Sequence, residues 1–243
     1  MTFLKSEDVL HKAELLKLLT GIIDNNILAS NVYFKGGTCA TMLGYLDRFS
    51  VDLDFDLKKG ANKLKLLSEF KEIFKKLDFK IEKGDAKNLF FVLKYDVPKD
   101  QRNTLKLSVS DVFIKANEYK TLFFAEIDRL VACQTIETMF ANKLVAPIDR
   151  YNKHEKIAGR DIYDIHHFFS NGYAFKKEII EERMKMSAED YFKRLIKFIE
   201  NKVTDRLLSE DLNMLLPYDV FLKIRKKLKP ETLIFLRSVV KWP

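Results

Sequence analysis

Residues 32–57, VYFKGGTCATMLGYLDRFSVDLDFDL, decide the fold of this chain. Residues 32–34 predict a short strand, because β-branched and aromatic residues favour strands. Gly36 and Gly37 predict a turn, and Thr38 predicts the N-cap of a following helix. This arrangement predicts a phosphate-binding site, since glycine lets the backbone approach an anion and the first N–H groups of a helix point at it.

The end of this stretch predicts a second strand with an acidic face. Residues 51–57 alternate apolar and acidic side chains, which places Asp52, Asp54 and Asp56 on one face. Neighbours on that face lie about 6.6 Å apart, so two carboxylates can hold one Mg²⁺ or Mn²⁺ ion. The alternative is a plain solvated face, but three adjacent carboxylates repel one another unless a cation or a basic partner lies between them. A phosphate-binding turn followed by an Asp-x-Asp strand favours metal-assisted phosphoryl or nucleotidyl transfer.

These motifs resemble those of a known family. KGGT at residues 35–38 and RFSVDLDF at residues 48–55 are similar to motifs of the AbiEii/MenT toxins, which are nucleotidyltransferases of the DNA polymerase β superfamily. The Arg-Phe-Ser element is the part more specific to this branch. The resemblance implies an α/β (α+β) fold with a nucleotidyltransferase lobe and a small mixed sheet at residues 1–120. A mainly helical C-terminal lobe at residues 121–243 would complete the active-site cleft.

The resemblance also assigns site residues. It implies triphosphate contacts or support at Gly36, Gly37, Thr38, Arg48 and Ser50, and metal ligands at Asp52 and Asp54. The implied substrate is a nucleoside triphosphate with Mg²⁺ or Mn²⁺, and the implied acceptor is RNA, the 3′ end of tRNA. An antitoxin encoded nearby would be the partner that neutralises the toxin.

The third carboxylate of such enzymes is absent from its usual place. Family members often carry a Lys-Leu-Glu-Ile-Ser-like strand, whereas residues 106–110 read KLSVS, with Ser108 in the position of the acid. Serine is a poor metal ligand. The third carboxylate is therefore either missing or supplied by Asp56, Asp111 or Asp161, which leaves a two-metal geometry open and the Asp52 and Asp54 pair unaffected.

A lysine interrupts an apolar stripe later in the chain. Lys143 follows Phe140 by three residues in a helix predicted to begin near Thr135. The residue pattern alone leaves two alternatives for Lys143. Its aliphatic stem packs in the core while its ammonium group reaches the solvent, or the ammonium group has a functional role. The resemblance favours the second, because the family's A-x-K-L-x-A stretch matches residues 141–146 and its lysine would neutralise the triphosphate.

The sequence GRDIYDI at residues 159–165 predicts the start of another helix. Asp161 is a candidate N-cap on residue type alone. The family carries R-D-x-x-D here, and by that match Asp161 would be catalytic or would orient Lys143, while Arg160 would contact phosphate.

Composition narrows the class of protein. The chain has 243 residues and a net charge of +8. Residues 61–120 hold 14 Lys/Arg against 9 Asp/Glu and residues 181–243 hold 14 against 10, which suits a polyanionic substrate. Apolar runs fall short of the roughly 18 residues of a membrane span, and the first residues include acids where a signal peptide would be apolar. We therefore expect a cytoplasmic protein with no membrane partner. Cys39 and Cys133 are expected to be buried thiols.

The sequence is also consistent with two alternative functions. A nucleotide-binding or partner-binding homologue with impaired catalysis would explain Ser108 in the position of the acid. A protein phosphotransferase would use the same metal and phosphate groups.

Overall fold

Residues 6–85, 87–97, 101–213 and 215–240 are described by the computed structural model of the chain. The chain forms two compact units, the first comprising residues 1–113 and 119–134, and the second comprising residues 114–118 and 135–243. The sequence predicts a boundary between the two lobes near residue 120, and this boundary stays a prediction.

The first unit is a mixed sheet with helices. Its helices are α1 (Ser6–Asp24), α2 (Asn26–Ala29), α3 (Gly36–Met42) and α4 (Lys63–Lys76). Its strands are β1 (Val32–Lys35), β2 (Asp52–Leu57), β3 (Lys80–Asp85), β4 (Phe90–Lys94), β5 (Thr104–Ser110), β6 (Tyr119–Phe124) and β7 (Arg129–Gln134). The sheet order is β3-β4-β5-β2-β1-β7-β6, with parallel pairs only at β2–β5 and β1–β7. The predicted α/β class with a mixed sheet is confirmed.

The two central strands β1 and β2 bury one face and keep polar groups on the other. Leu53 and Phe55 of β2 are fully buried, and the ring of Phe34 on β1 lies 5.2 Å from that of Phe55. Helix α1, whose Leu18 and Leu19 are also fully buried, contacts β2 and β7. The period-two alternation of β2 therefore buries its apolar side chains and leaves its first two acids half-buried at the opposite face.

The structure corrects the predicted start of one helix and adds a hairpin after the acidic strand. Helix α3 begins at Gly36 rather than after Thr38, because Gly36 adopts a φ of +82° that lets the chain turn directly from β1 into the helix. Thr38 is therefore an internal helix residue and not the N-cap. The apolar residues 122–133 form most of the β6–β7 hairpin, with Asp128 at a φ of +53° in its turn.

The second unit is helical in its described residues. Its helices are α5 (Ile136–His154), α6 (Gly159–Ser170), α7 (Lys177–Met184), α8 (Ala188–Lys202), α9 (Asp205–Leu212), α10 (Tyr218–Ile224) and α11 (Leu228–Val239). The fully buried ring of Phe140 on α5 stacks on that of Phe168 on α6 at 4.9 Å, which fixes the two helices that carry the predicted motifs. Every helix in the described ranges is too short or too polar to span a bilayer.

Candidate active site

The acidic face of β2 is the centre of the candidate site. Asp52 and Asp54 are half-buried, whereas Asp56 is only 4% exposed. Lys35 of β1 lies opposite Asp54 in the antiparallel register, and Ser108 of β5 lies opposite it on the other side. Directly opposite residues share a face of a sheet. The acids therefore share their face with a lysine and with the serine that replaces the expected third carboxylate.

Asp56 is neutralised by protein groups. One carboxylate oxygen accepts from the ammonium of Lys35 at 2.5 Å, and the other accepts from Gln134 at 2.7 Å and from the hydroxyl of Tyr119 at 3.0 Å. A basic partner thus lies beside the carboxylates, as their mutual repulsion requires. Because both oxygens of Asp56 are engaged by protein donors, this residue is a poor candidate for a third metal ligand.

The other two candidates for a third carboxylate also have basic partners. Asp111 forms an ion pair with Lys63, which lowers the pKa of its carboxyl group. Asp161 belongs to the second unit and binds Arg150 through both oxygens, at 2.8 Å and 3.3 Å. Within the described ranges, no group of three or more His, Cys, Asp or Glu side chains could hold a metal ion.

Asp52 and Asp54 nevertheless fit a magnesium or manganese ion. They are half-buried neighbours on one face of a strand, and they offer hard oxygen donors. Mg²⁺ commonly keeps several waters and binds through one or two carboxylates together with substrate phosphates. A pair of carboxylates beside the turn that is predicted to bind phosphate matches that donor set without a third acid.

The two glycines bring the start of α3 against the site. A Cβ atom on Gly36 would lie 2.8 Å from Oδ2 of Asp54, and one on Gly37 would lie 2.8 Å from the Ser50 hydroxyl and 3.0 Å from a guanidinium nitrogen of Arg48. Side chains at either position would collide with these groups. The Gly-Gly pair therefore places the helix start, whose first N–H groups have no partner within the helix, next to a predicted metal ligand.

Thr38 fixes α3 to the acidic strand. Its hydroxyl donates to the main-chain oxygen of Asp52 at 2.5 Å and lies 3.0 Å from the hydroxyl of Ser50. It is 4% exposed. Its role in this structure is to hold the helix and the first acid in register.

Arg48 lies behind the Gly-Gly turn. Its side chain is 4% exposed, and its guanidinium group donates to the main-chain oxygen of Phe49 at 3.0 Å. Arg48, Ser50 and Thr38 line one cavity of about 340 Å³, whose apolar wall includes Leu15 of α1. The structure thus brings together three of the seven residues predicted to contact or support phosphate, with a buried cation beside the turn.

His11 is a site residue that the sequence reasoning missed. Its Nε2 atom donates to the main-chain oxygen of Val51 at 2.9 Å, and its Nδ1 atom lies 2.6 Å from the hydroxyl of Tyr95. Burial lowers the pKa of His11, and burial raises the pKa of Tyr95 to about 12. The Tyr95 hydroxyl donates to the main-chain oxygen of Arg102 at 2.9 Å, so the imidazole of His11 connects the main chain before β2 to the residues after β4. His11 and Thr38 thus anchor two successive carbonyl groups at the start of β2, a long-range contact with no signal in the sequence.

The second unit holds Lys143 with a different acid from the one expected. The ammonium of Lys143 lies 2.7 Å from Asp164, whose side chain is fully buried, while Asp161 pairs with Arg150. Asp164 is therefore an ion-pair partner of Lys143 in this structure. Asp161 lies in the first turn of α6, whose N-cap is Ala158, so the N-cap alternative for Asp161 is also excluded. Arg160 is half-buried in the same turn. The second acid of the R-D-x-x-D motif was the available signal for Asp164.

Comparison with known proteins places these features in a family. The chain matches the family described as "Nucleotidyl transferase AbiEii toxin, Type IV TA system" over residues 17–224. Its fold is similar to that of MenT4, a nucleotidyltransferase toxin from Mycobacterium tuberculosis H37Rv, at 16% sequence identity and a TM-score of 0.54. The match covers 96% of this chain and 84% of that chain. No curated protein sequence matches the chain.

Proposed function

Because the chain belongs to the AbiEii family of nucleotidyltransferase toxins of type IV toxin–antitoxin systems, we propose that it transfers a nucleotide from a nucleoside triphosphate to RNA. The proposed acceptor is the 3′ end of tRNA, which would block translation. The proposed cofactor is Mg²⁺ or Mn²⁺, and the proposed location is the cytoplasm. A cognate antitoxin and a nucleotide substrate accompany membership of the family.

The contact between Gly36 and Asp54 carries this proposal. The position of a Cβ on Gly36 lies 2.8 Å from the Asp54 carboxylate, so the helix start and the acid meet at one place. The N–H groups of a helix start bind phosphate, and a carboxylate pair binds a hard cation. A polyphosphate with its cation needs both groups side by side.

The site residues of the first unit each have a role in the proposed reaction. The main chain at Gly36 and Gly37 binds the triphosphate, and the buried guanidinium group of Arg48 adds positive charge behind it. Asp52 and Asp54 would hold the metal, which when bound supplies charge neutralisation of the phosphates. The oxygen of the acceptor hydroxyl then forms a bond to the α-phosphorus and gives its proton to water, while the bond from the α-phosphorus to the bridging oxygen breaks and pyrophosphate leaves.

Residues of the second unit enter the proposal through the family resemblance. Lys143 is proposed to neutralise the triphosphate, and its ion pair with Asp164 supports a fixed position for the ammonium group. Asp161 and Arg150 form a second ion pair, for which a structural role is the simpler account. The catalytic role of Asp161 and the phosphate contact of Arg160 stay predictions.

A labelling experiment tests the proposal. Purified protein is incubated with each α-labelled nucleoside triphosphate, total tRNA and Mg²⁺, with the Asp52→Asn variant as control. We expect label on RNA with the wild type and none with the variant. Nucleotide binding without transfer would support an impaired homologue, the alternative motivated by Ser108 opposite Asp54. Label on protein from γ-labelled substrate would support a phosphotransferase.

A further inference from the structure

Two tyrosines stand on the acidic face next to the candidate site. The rings of Tyr33 on β1 and Tyr119 on β6 are stacked, with centroids 3.9 Å apart and planes 16° apart. Both residues are partly exposed. We call them the tyrosine pair. A stacked, partly exposed ring pair presents a flat π surface, and the reaction proposed above does not use it.

The position of the tyrosine pair is fixed by the third acid of β2. The hydroxyl of Tyr119 donates to Asp56 at 3.0 Å, and Tyr33 lies opposite Asp56 in the strand register. Asp56 is itself held by Lys35 and Gln134. The network that removes Asp56 from metal binding therefore orients the aromatic pair, and Asp56 acquires a role as its anchor.

The strand register gives the order of groups along the site. Gly36, where the phosphate-binding helix begins, follows Lys35, and Lys35 lies opposite Asp54. Tyr33 lies two residues before Lys35, one same-face step of about 6.6 Å further from the helix start. The acids Asp52 and Asp54 thus lie close to the phosphate-binding turn, and the tyrosine pair lies beyond them.

This order indicates which part of the substrates meets the tyrosine pair. In phosphoryl and nucleotidyl transfer the attacking and leaving oxygens are roughly in line through the phosphorus. If pyrophosphate leaves over the start of α3, the attacking hydroxyl must arrive from the opposite side of the acids, where Tyr33 and Tyr119 stand. An incoming RNA end has its last base next to that hydroxyl.

We propose that Tyr33 and Tyr119 form a stacking platform for the 3′-terminal base of the RNA acceptor. The proposal rests on the function proposed above. Stacking on aromatic side chains is how proteins bind single-stranded RNA without reading its sequence. The same face of β6 continues with Thr121 and Phe123, both exposed, so the surface that leads away from the pair is accessible to the rest of the strand.

The test pairs changes in the enzyme with changes in the RNA. The RNA labelled by the wild type is prepared in two forms, with its 3′-terminal base and with an abasic 3′-terminal nucleotide that keeps its hydroxyl. Tyr33→Leu removes a ring, and Tyr33→Phe is the matched control that keeps it. The kcat/KM for RNA is measured at saturating nucleoside triphosphate, and the KM for the nucleotide is measured separately.

We expect the wild type and Tyr33→Phe to lose about tenfold in kcat/KM with the abasic RNA. Tyr33→Leu should lose about tenfold with the intact RNA and show no further loss with the abasic form. If removal of the 3′ base lowers kcat/KM by the same factor in Tyr33→Leu and in the wild type, the platform is overturned. A merely structural role of Tyr33 would lower kcat/KM for the intact and the abasic RNA by the same factor. A rise confined to the KM of the nucleotide would overturn it as well, by assigning the pair to the incoming base.

Failure of the proposed function is distinguishable from failure of the platform. If the wild type labels no RNA, the proposed transfer to RNA is contradicted, and so is the proposed platform, which depends on it. If the wild type labels RNA and Tyr33→Leu behaves like the wild type, only the platform is wrong. Should Tyr33→Leu not fold, wild-type protein is titrated into RNA with 2-aminopurine as its 3′ base. Quenching of its fluorescence supports stacking, and unchanged fluorescence at saturation contradicts it.

Discussion

Lys35 and Asp56 form an ion pair of 2.5 Å between the strand that precedes the Gly-Gly turn and the strand that carries the acids. The side chains are 24% and 6% exposed, so the pair is largely shielded from water. It supplies the positive charge that three neighbouring carboxylates require. It also couples the first motif of the sequence, KGGT, to the last acid of the second.

Loss of this lysine should destabilise the first unit. Lys35→Met leaves Asp56 buried without its cation, and we expect the free energy of unfolding to fall by about 3 kcal/mol. Lys106→Met is the matched control, because Lys106 lies opposite Asp52 but is exposed. Denaturant titration measures both variants. Equal stabilities of Lys35→Met and Lys106→Met would show that the ion pair contributes nothing.

The three acids of β2 should differ when each is changed to its amide. Asp52→Asn and Asp54→Asn should abolish transfer and leave stability equal or higher, since each removes a proposed metal ligand and relieves repulsion. Asp56→Asn should lower the melting temperature, because the charge that binds Lys35 is lost. Transfer rates and melting curves of the three variants check this. Full transfer by Asp54→Asn would remove it from the metal site.

We expect a glycine at position 36 to be required for two reasons, its positive φ and its close approach to the Asp54 carboxylate. Gly36→Ala places a Cβ 2.8 Å from the Asp54 carboxylate at a φ of +82°, whereas Gly44 has a φ of +75° with nothing within 4 Å of a Cβ. Gly44→Ala therefore measures left-handed strain alone, about 1–2 kcal/mol. We expect Gly36→Ala to lose more stability than this and to lose transfer activity. Equal losses and wild-type transfer in both variants would rule out the close contact.

How much the sequence could predict depends on the range of each interaction. The period of two placed the acids on one face correctly because alternation is a local property of a strand. The partners of Asp56 come from β1, β6 and β7, and no local pattern identifies them. No local pattern predicts the hairpin at residues 122–133, because the turn between its strands lacks glycine and uses Asp128 at positive φ instead.

The same distinction explains the site. The family motifs pointed to Lys143, but its partner depends on how α5 and α6 pack, and that packing selects Asp164 over Asp161. Thr38 resembled an N-cap from its residue type, yet the helix begins two residues earlier, since Gly36 can adopt a positive φ. No sequence pattern identifies His11, because its contacts are with Val51, just before β2, and with Tyr95, just after β4.

Stability should depend on pH through His11. Burial lowers the pKa of His11 in the folded chain, with Arg102 adding to the effect, while Val51, Asp52 and Asp8 oppose it. The unfolded chain binds a proton near pH 6.5 and the folded chain only at lower pH. The contribution of neutral His11 is therefore complete above about pH 6.5 and is lost progressively as the pH falls below it.

His11→Gln checks this contribution. Its amide can donate to the main-chain oxygen of Val51, but it does not titrate. We expect the free energy of unfolding to fall less steeply between pH 7 and pH 5 in the variant than in the wild type, since other titrating groups are common to both. Identical slopes would mean that the imidazole keeps its ordinary pKa when folded.

The ion pair of Lys143 and Asp164 separates structure from catalysis. Asp164 is fully buried, so Lys143→Met should destabilise the second unit by about 3 kcal/mol by leaving a charge without its cation. Lys143→Met/Asp164→Leu should recover most of that loss, because it replaces the pair by apolar side chains. A double-mutant cycle in the free energy of unfolding measures the recovery.

Activity should not follow stability in this cycle. If the ammonium group of Lys143 stabilises charge on the departing pyrophosphate, Lys143→Met transfers nucleotide at least tenfold more slowly, and the double variant stays as slow although it is stable again. If Lys143 only neutralises Asp164, activity returns together with stability. Single-turnover transfer rates at a temperature where all variants are folded distinguish the two results. Full transfer by the double variant would return this lysine to a structural role, and a slow but stable double variant would establish its part in the reaction.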